Sequence, residues 1–171
     1  MTLKRSMRPV GAADATLLIL GSLPGEASLA AQRYYAHPQN QFWRLLGDAI
    51  GEKLVALDYD ARLERLAARG IALWDVVGEA RREGSLDGAI RSASANALAQ
   101  FAADHPRLRA IAFNGGTAAK IGRKALADCT VPLIDLPSSS PAYTLPLAEK
   151  AARWAVLGNL ALASESATLR R

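Results

Sequence analysis

At 171 residues, half of them apolar, the chain has the length and composition of one globular domain that buries about two-thirds of its unfolded surface. Its formal charge of +5 suits a polyanionic partner without being diagnostic, because Lys4, Arg5, Arg8, Arg170 and Arg171 lie in arms expected to be flexible, near residues 1–12 and 164–171. The lone Cys129 excludes an internal disulfide and a cysteine metal site, and His37 and His105 lack metal-ligand spacing. No apolar run is long enough to span a bilayer and no signal-peptide pattern opens the chain, so a cytoplasmic, reducing environment is expected.

An apolar run at Thr16–Leu20 opens directly into Gly21-Ser22-Leu23-Pro24-Gly25, the pattern of a buried strand ending in a tight turn. Gly21 and Gly25 permit close backbone approach, and Pro24 stiffens the turn between them. Tyr34-Tyr35, His37-Pro38, the amides Gln39-Asn40-Gln41 and Phe42-Trp43 follow. Turns at strand ends are where α/β proteins place ligands, and amides among aromatics suit a flat, hydrogen-bonding ligand such as a nucleobase.

Apolar spacing predicts helices over Phe42–Ile50 and Asp60–Arg69, then a strand over Ile71–Trp74 that leads into Asp75. Arg82-Glu83-Gly84-Ser85-Leu86-Asp87 reads as a turn with helix-capping residues. The alanine-rich Ser94–Asp104 predicts a helix, and Leu108–Asn114 a third strand. Asn114-Gly115-Gly116-Thr117 joins that strand to a helix over Thr117–Ala127, whose exposed N–H groups favour an anion. The turn lacks both Walker and dinucleotide spacing, so no nucleotide cofactor is expected. Val131–Leu136 is the fourth strand, followed by Pro137-Ser138-Ser139-Ser140-Pro141-Ala142-Tyr143. A last helix over Pro146–Ala163 places Leu147, Ala151, Trp154, Ala155 and Leu162 on one side. Lys53, Lys120, Lys124 and Lys150 read as solvated charges.

Strands alternating with helices imply a parallel sheet built by βαβ crossovers. The expected fold is one α/β domain, a three-layer α/β/α sandwich with a mainly parallel sheet of about four strands. Its four motif-bearing loops would converge on one rim.

Four stretches carry a family resemblance: GSLPG with YYAHPQNQFW, ALWDVV with REGSLD, IAFNGGTAA, and IDLPSSSPAY. In that order they cover about Leu17 to Tyr143, and the chain resembles the uracil-DNA glycosylase superfamily. It is most similar to the hypoxanthine-DNA (deoxyinosine) glycosylase branch, next to the mismatch-specific uracil and thymine glycosylases. The resemblance implies that Asn40, at the position used for catalysis in that branch, orients water beneath the anomeric carbon. Read without the resemblance, Asn40 is better explained as the cap of the Phe42–Ile50 helix. Leu23 stands where the mismatch-specific enzymes carry a water-positioning Asn, and Leu136 where several relatives carry an anion-stabilising His.

Phe42 matches the ring on which a flipped base stacks in related enzymes, whereas Trp43 reads as core. Tyr34 and Tyr35 read as pocket walls. Asp75 stands where the thymine enzymes carry a base-reading Asn; it would accept a purine N1–H, but if ionised it would oppose the charge on a departing base. Burial that raises its pKa would keep it neutral and let it donate instead. Anchoring local backbone explains Asp75 nearly as well. The catalytic candidates are thus Asn40 and Asp75. Base contacts are expected from Gly21, Ser22, Leu23, Tyr35, Phe42 and Asn114, and DNA contacts from Pro24, Gly25, His37, Gly115, Ser138, Ser139, Ser140 and Tyr143. Pro141, Ala142 and Tyr143 would fill the gap left by the flipped nucleotide.

The function implied is a monofunctional, monomeric DNA glycosylase that excises hypoxanthine and/or uracil from single- or double-stranded DNA, with no metal or organic cofactor. Three alternatives stay open: a uracil/thymine mismatch-specific glycosylase, a non-catalytic nucleic-acid-binding module, and an α/β hydrolase-like enzyme. A serine nucleophile lacks both a G-x-S-x-G elbow and an obvious His/Asp partner order.

Overall fold

The computed structural model describes residues 3–82, 84–87 and 90–163. Glu83 and residues 164–171, named above, lie outside them, and residues 91–93 are described by backbone only. In chain order the strands are β1 (Leu3–Arg5), β2 (Val10–Gly11), β3 (Leu17–Gly21), β4 (Ile71–Asp75), β5 (Val77–Arg81), β6 (Arg91–Ala95), β7 (Ala110–Asn114) and β8 (Leu133–Leu136). The helices are α1 (Glu26–Ala31), α2 (Phe42–Ile50), α3 (Tyr59–Ala68), α4 (Leu98–Asp104), α5 (Gly116–Ala125) and α6 (Leu147–Trp154), with 3-10 turns at Leu54–Ala56 and Ala155–Asn159.

β3 is apolar on both faces because both faces are covered. Side chains alternate along a strand. Leu17 and Ile19 therefore enter one core cluster with Phe42, Leu45, Leu46 and Trp154, while Leu18 and Leu20 enter another with Phe113, Ala118 and Leu98. The first cluster lies under α2, α3 and α6, the second under α4 and α5. That is the expected α/β/α layering.

The main sheet has five strands in the order β2-β4-β3-β7-β8. The four predicted strands run parallel to their neighbours, with Gly21 level with Asp75 and Asn114 level with Leu136. The fifth, β2, is antiparallel to β4 and comes from the N-terminal arm. Among the parallel strands, chain order reverses direction between β3 and β7. A crevice opens outside the carboxyl ends of strands at such a switch point.

Four features depart from the sequence reading. A second, antiparallel sheet, β1-β5-β6, continues from the end of β4. Ser94 and Ala95, expected in a helix, end β6, and α4 starts only at Leu98. α1 follows the glycine turn directly, and the last helix changes to 3-10 geometry after Trp154. Among the described residues no helix is long and apolar enough to cross a membrane.

Candidate active site

The loops after β3, β7 and β8 and the end of β4 enclose one cavity of about 860 Å³ at the switch point. Of the catalytic, base-binding and DNA-binding candidates named from sequence, all except Phe42 line it. Gly21 sits where a side chain would crowd two others. A Cβ there would lie 2.7 Å from Asp75 Oδ1 and 2.8 Å from the Tyr35 hydroxyl. These two side-chain ends therefore meet above the last residue of β3.

Asp75 is 3% exposed, and its Oδ2 has no hydrogen-bond partner. Burial, with the nearby Asp87 carboxylate adding to it and Arg82 opposing, pushes its pKa up to about 7. The side chain is thus poised to be neutral or charged near physiological pH, the condition the sequence reading set for a hydrogen-bond donor. Its backbone carbonyl is held separately, by Asn96 Nδ2 at 2.8 Å.

Asn40 lies just before α2 and lines the cavity. Its Oδ1 accepts from the Phe42 N–H at 3.0 Å, which closes the turn into α2, and from the Ser139 hydroxyl at 2.8 Å. Ser139 Oγ in turn accepts from Asn114 Nδ2 at 2.9 Å, and Asn114 Oδ1 accepts from the Ser139 N–H at 2.9 Å. A relay Asn114–Ser139–Asn40 thus joins three loops. Because the Asn40 oxygen already has two donors, its Nδ2 is the end left to meet a ligand. Asn114 and Ser139, expected to contact base and DNA, line the cavity and are held in this relay.

Phe42 corrects the sequence reading. It is fully buried, and the Tyr35 ring lies flat against it, with centroids 3.8 Å apart and planes 12° apart. The ring exposed to the cavity is Tyr35, and Phe42 backs it. Tyr35 adopts φ +55°, unusual for an aromatic residue, and burial next to Asp75 raises its hydroxyl pKa. Tyr34 also lines the cavity, as expected of a pocket wall, and its hydroxyl donates to the Arg8 carbonyl at 2.9 Å. His37 is exposed, and its Nδ1 accepts from the Gln39 N–H at 3.1 Å, which braces the turn.

The remaining loops are pinned from behind. Ser138 and Ser140 accept from the backbone N–H groups two residues on, while Tyr143 is 46% exposed at the rim. Gly115, at φ +100°, lets that turn pass 3.1 Å from Ser138 Cβ, measured from where its own Cβ would be. Gly115, Gly116 and Thr117 open α5 toward the cavity with no side-chain cap. Lys150 is not the solvated charge expected. It is 1% exposed, donates to Gln41 Oε1 at 3.0 Å and to the Ser140 carbonyl at 3.2 Å, and its Nζ lies 5.4 Å from the Tyr143 ring centroid. Its position four residues before the inward-facing Trp154 was the available sign, since i and i+4 share a helix face.

Sequence reading also missed Arg82 and Asp87. Arg82 is fully buried and donates to the carbonyls of Leu23 and Pro24. Asp87 lines the cavity and accepts from the Ser22 hydroxyl at 2.5 Å. Ser85 does cap, though across space, by accepting from the Glu26 N–H at the start of α1. The β5–β6 connection therefore clamps the Gly21–Gly25 loop. Among the described residues no group of three or more His, Cys, Asp or Glu side chains is arranged to hold a metal ion.

Comparison with known proteins gives consistent matches. The family model of the uracil DNA glycosylase superfamily matches residues 8–160. A hypoxanthine DNA glycosylase of Methanosarcina barkeri (strain Fusaro / DSM 804) is 43% identical over 112 residues, which cover 66% of this chain and 71% of that protein. One of Methanosarcina acetivorans is 42% identical over 113 residues, 66% of this chain and 72% of that protein. The solution NMR structure of a Methanosarcina acetivorans protein superimposes with a TM-score of 0.83 at 38% identity, over 93% of this chain and 99% of that one.

Proposed function

This chain belongs to the uracil DNA glycosylase superfamily and is a DNA glycosylase; from that premise we propose that it excises hypoxanthine, and uracil second, by everting the nucleotide and directing water at C1′. The observation that carries this reading is the buried Asp75 carboxyl, one oxygen without a hydrogen-bond partner, in the same cavity as the Asn40 carboxamide and the Tyr35 ring. Hypoxanthine is put first on the names of the two Methanosarcina relatives. Both bases present an N–H beside a carbonyl, the edge that a carboxyl able to donate or accept can read.

In this reading the everted base lies on Tyr35, with a stacking contribution of roughly 1–3 kcal/mol. The Asn40 Nδ2 group donates to the oxygen of a water and holds it beneath the sugar. As the glycosidic bond stretches, charge accumulates on the departing base. Neutral Asp75 donates a hydrogen bond to it, while the backbone N–H groups of Gly116 and Thr117 and the hydroxyls of Ser138 and Ser140 meet DNA phosphates. The chemistry calls for no metal and no amine nucleophile.

The test is incubation of pure protein with duplexes carrying a single hypoxanthine, uracil, xanthine or mismatched thymine, followed by alkaline scission at abasic sites. The expected order is hypoxanthine fastest, and Asn40→Ala lowers its single-turnover rate by about 100-fold or more, the scale of losing one preorganised polar group. Full excision by Asn40→Ala would remove that residue from the mechanism. Faster release of uracil would transfer the substrate assignment to it.

A further inference from the structure

Behind the residue 34–41 segment lies a second cavity of about 670 Å³. Tyr34, Tyr35, His37 and Asn40 line both cavities, so this segment is the wall between them. The far side is walled by Trp43, Tyr59, Arg33, Arg44 and Arg62. The Arg33 guanidinium lies 5.4 Å from the Tyr59 ring centroid, and that of Arg62 lies 5.2 Å from the Trp43 ring centroid. Among the described residues Arg33 and Arg62 form no ion pair, whereas Arg44 Nε lies 3.7 Å from Asp48 Oδ2, an exposed pair one turn apart on α2. Arg62 spends Nε and one Nη2 hydrogen on the carbonyls of Leu54 and Val55, which leaves the rest of its fork open.

Asp58 is the one acidic residue of the lining, and it is committed to capping α3 through the Ala61 N–H at 2.8 Å. Trp43 is 5% exposed, and its indole N–H has no partner. Buried N–H groups normally find an acceptor. Here a cavity rich in cations and aromatic faces waits beside one that lacks it.

We infer that this second cavity takes a nucleotide of the same DNA next to the everted one, with its phosphate on Arg33, Arg44 and Arg62, its base against Tyr59, and an acceptor on the Trp43 indole N–H. The inference rests on the DNA glycosylase reading. Arginine forks suit phosphate, and arginine with aromatic faces suits bases regardless of sequence. Eversion unstacks the neighbouring nucleotides. A site one wall away from Asn40 replaces that lost stacking and presses on the segment that carries the carboxamide.

The experiment compares wild type with Arg33→Gln/Arg44→Gln, both exposed positions, and with Trp43→Phe, which keeps a ring and removes the N–H. Affinity for a duplex with a single abasic site is measured against salt concentration, along with duplexes cut back to the lesion from the 5′ or the 3′ side. The double variant should bind about tenfold more weakly at low salt, with a slope of log affinity against log salt shallower by about one to two. Trp43→Phe should weaken binding without changing the slope. One of the two truncations should weaken wild type to the variants' level and leave the variants unchanged. Equal affinities and slopes on the full duplex, or losses from truncation and substitution that simply multiply, would overturn the inference. Base release by wild type from a hypoxanthine duplex reports on the other reading: binding differences with no release would refute the catalysis and leave the cavity standing.

Discussion

Asp75→Asn isolates the consequence of burying an acid. In the folded protein the carboxyl titrates near pH 7, against an ordinary value of 3.8. A raised acid pKa means that the folded state prefers the proton. The associated stability is fully present below about pH 4, declines as the unfolded chain ionises, and is gone once pH passes the folded value near 7. A shift of about three units corresponds to about 4 kcal/mol between those limits. Asparagine has no proton to lose, so the variant lacks this slope. Chemical denaturation at steps from pH 4 to 8, taken as wild type minus variant, cancels the other carboxylates. That difference should fall by about 4 kcal/mol across the window. Single-turnover excision by wild type should fall as pH rises through 7, where the donor is lost, and the variant should show no such fall. A flat stability difference would mean that Asp75 ionises normally, and the argument from burial would be wrong.

Other substitutions probe the rest of the cavity. Tyr35→Ala removes the ring facing the cavity and should weaken binding of an abasic duplex with added free hypoxanthine by roughly 1–3 kcal/mol, measured by titration. Gly21→Ala drives a methyl against Asp75 Oδ1 and the Tyr35 hydroxyl, both movable side-chain ends. It should therefore fold with a small loss in melting temperature yet lose most excision, and normal activity would show that neither end is held in place. Lys150→Met replaces a buried, uncompensated cation by an apolar chain of similar length. Global stability should change by no more than about 1–2 kcal/mol in either direction, whereas amide exchange across residues 138–143 should rise, since the holds on Gln41 and the Ser140 carbonyl are gone.

The strands of the parallel sheet were readable because each is an apolar run covered on both faces, and their loops carried the informative motifs. The antiparallel sheet was not, since its strands are short and rich in small or charged residues such as Gly78, Glu79 and Ser94, whose extended form is imposed by neighbours rather than by periodicity. α1 was hidden behind Gly21–Gly25, where glycine and proline announce a turn and say nothing of the helix that follows. Within the site, residue identities around Asn40 and Asp75 were legible. The division of labour between Tyr35 and Phe42 was not, because adjacent aromatics near a strand mouth do not declare which ring stands in front. Asp87 and Arg82 reach the first loop across about sixty residues of chain, and no local pattern reports such a contact.

The Asn114–Ser139–Asn40 relay ties three separate loops into one mechanical unit. Changing Ser139 to alanine takes the acceptor from Asn114 Nδ2 and one of two donors from Asn40 Oδ1, and changing either asparagine leaves the hydroxyl half-used, at about 1–3 kcal/mol for each orphaned group. A disturbance at any one member is therefore passed to the other two loops, so the strand ends that wall the cavity yield together rather than singly.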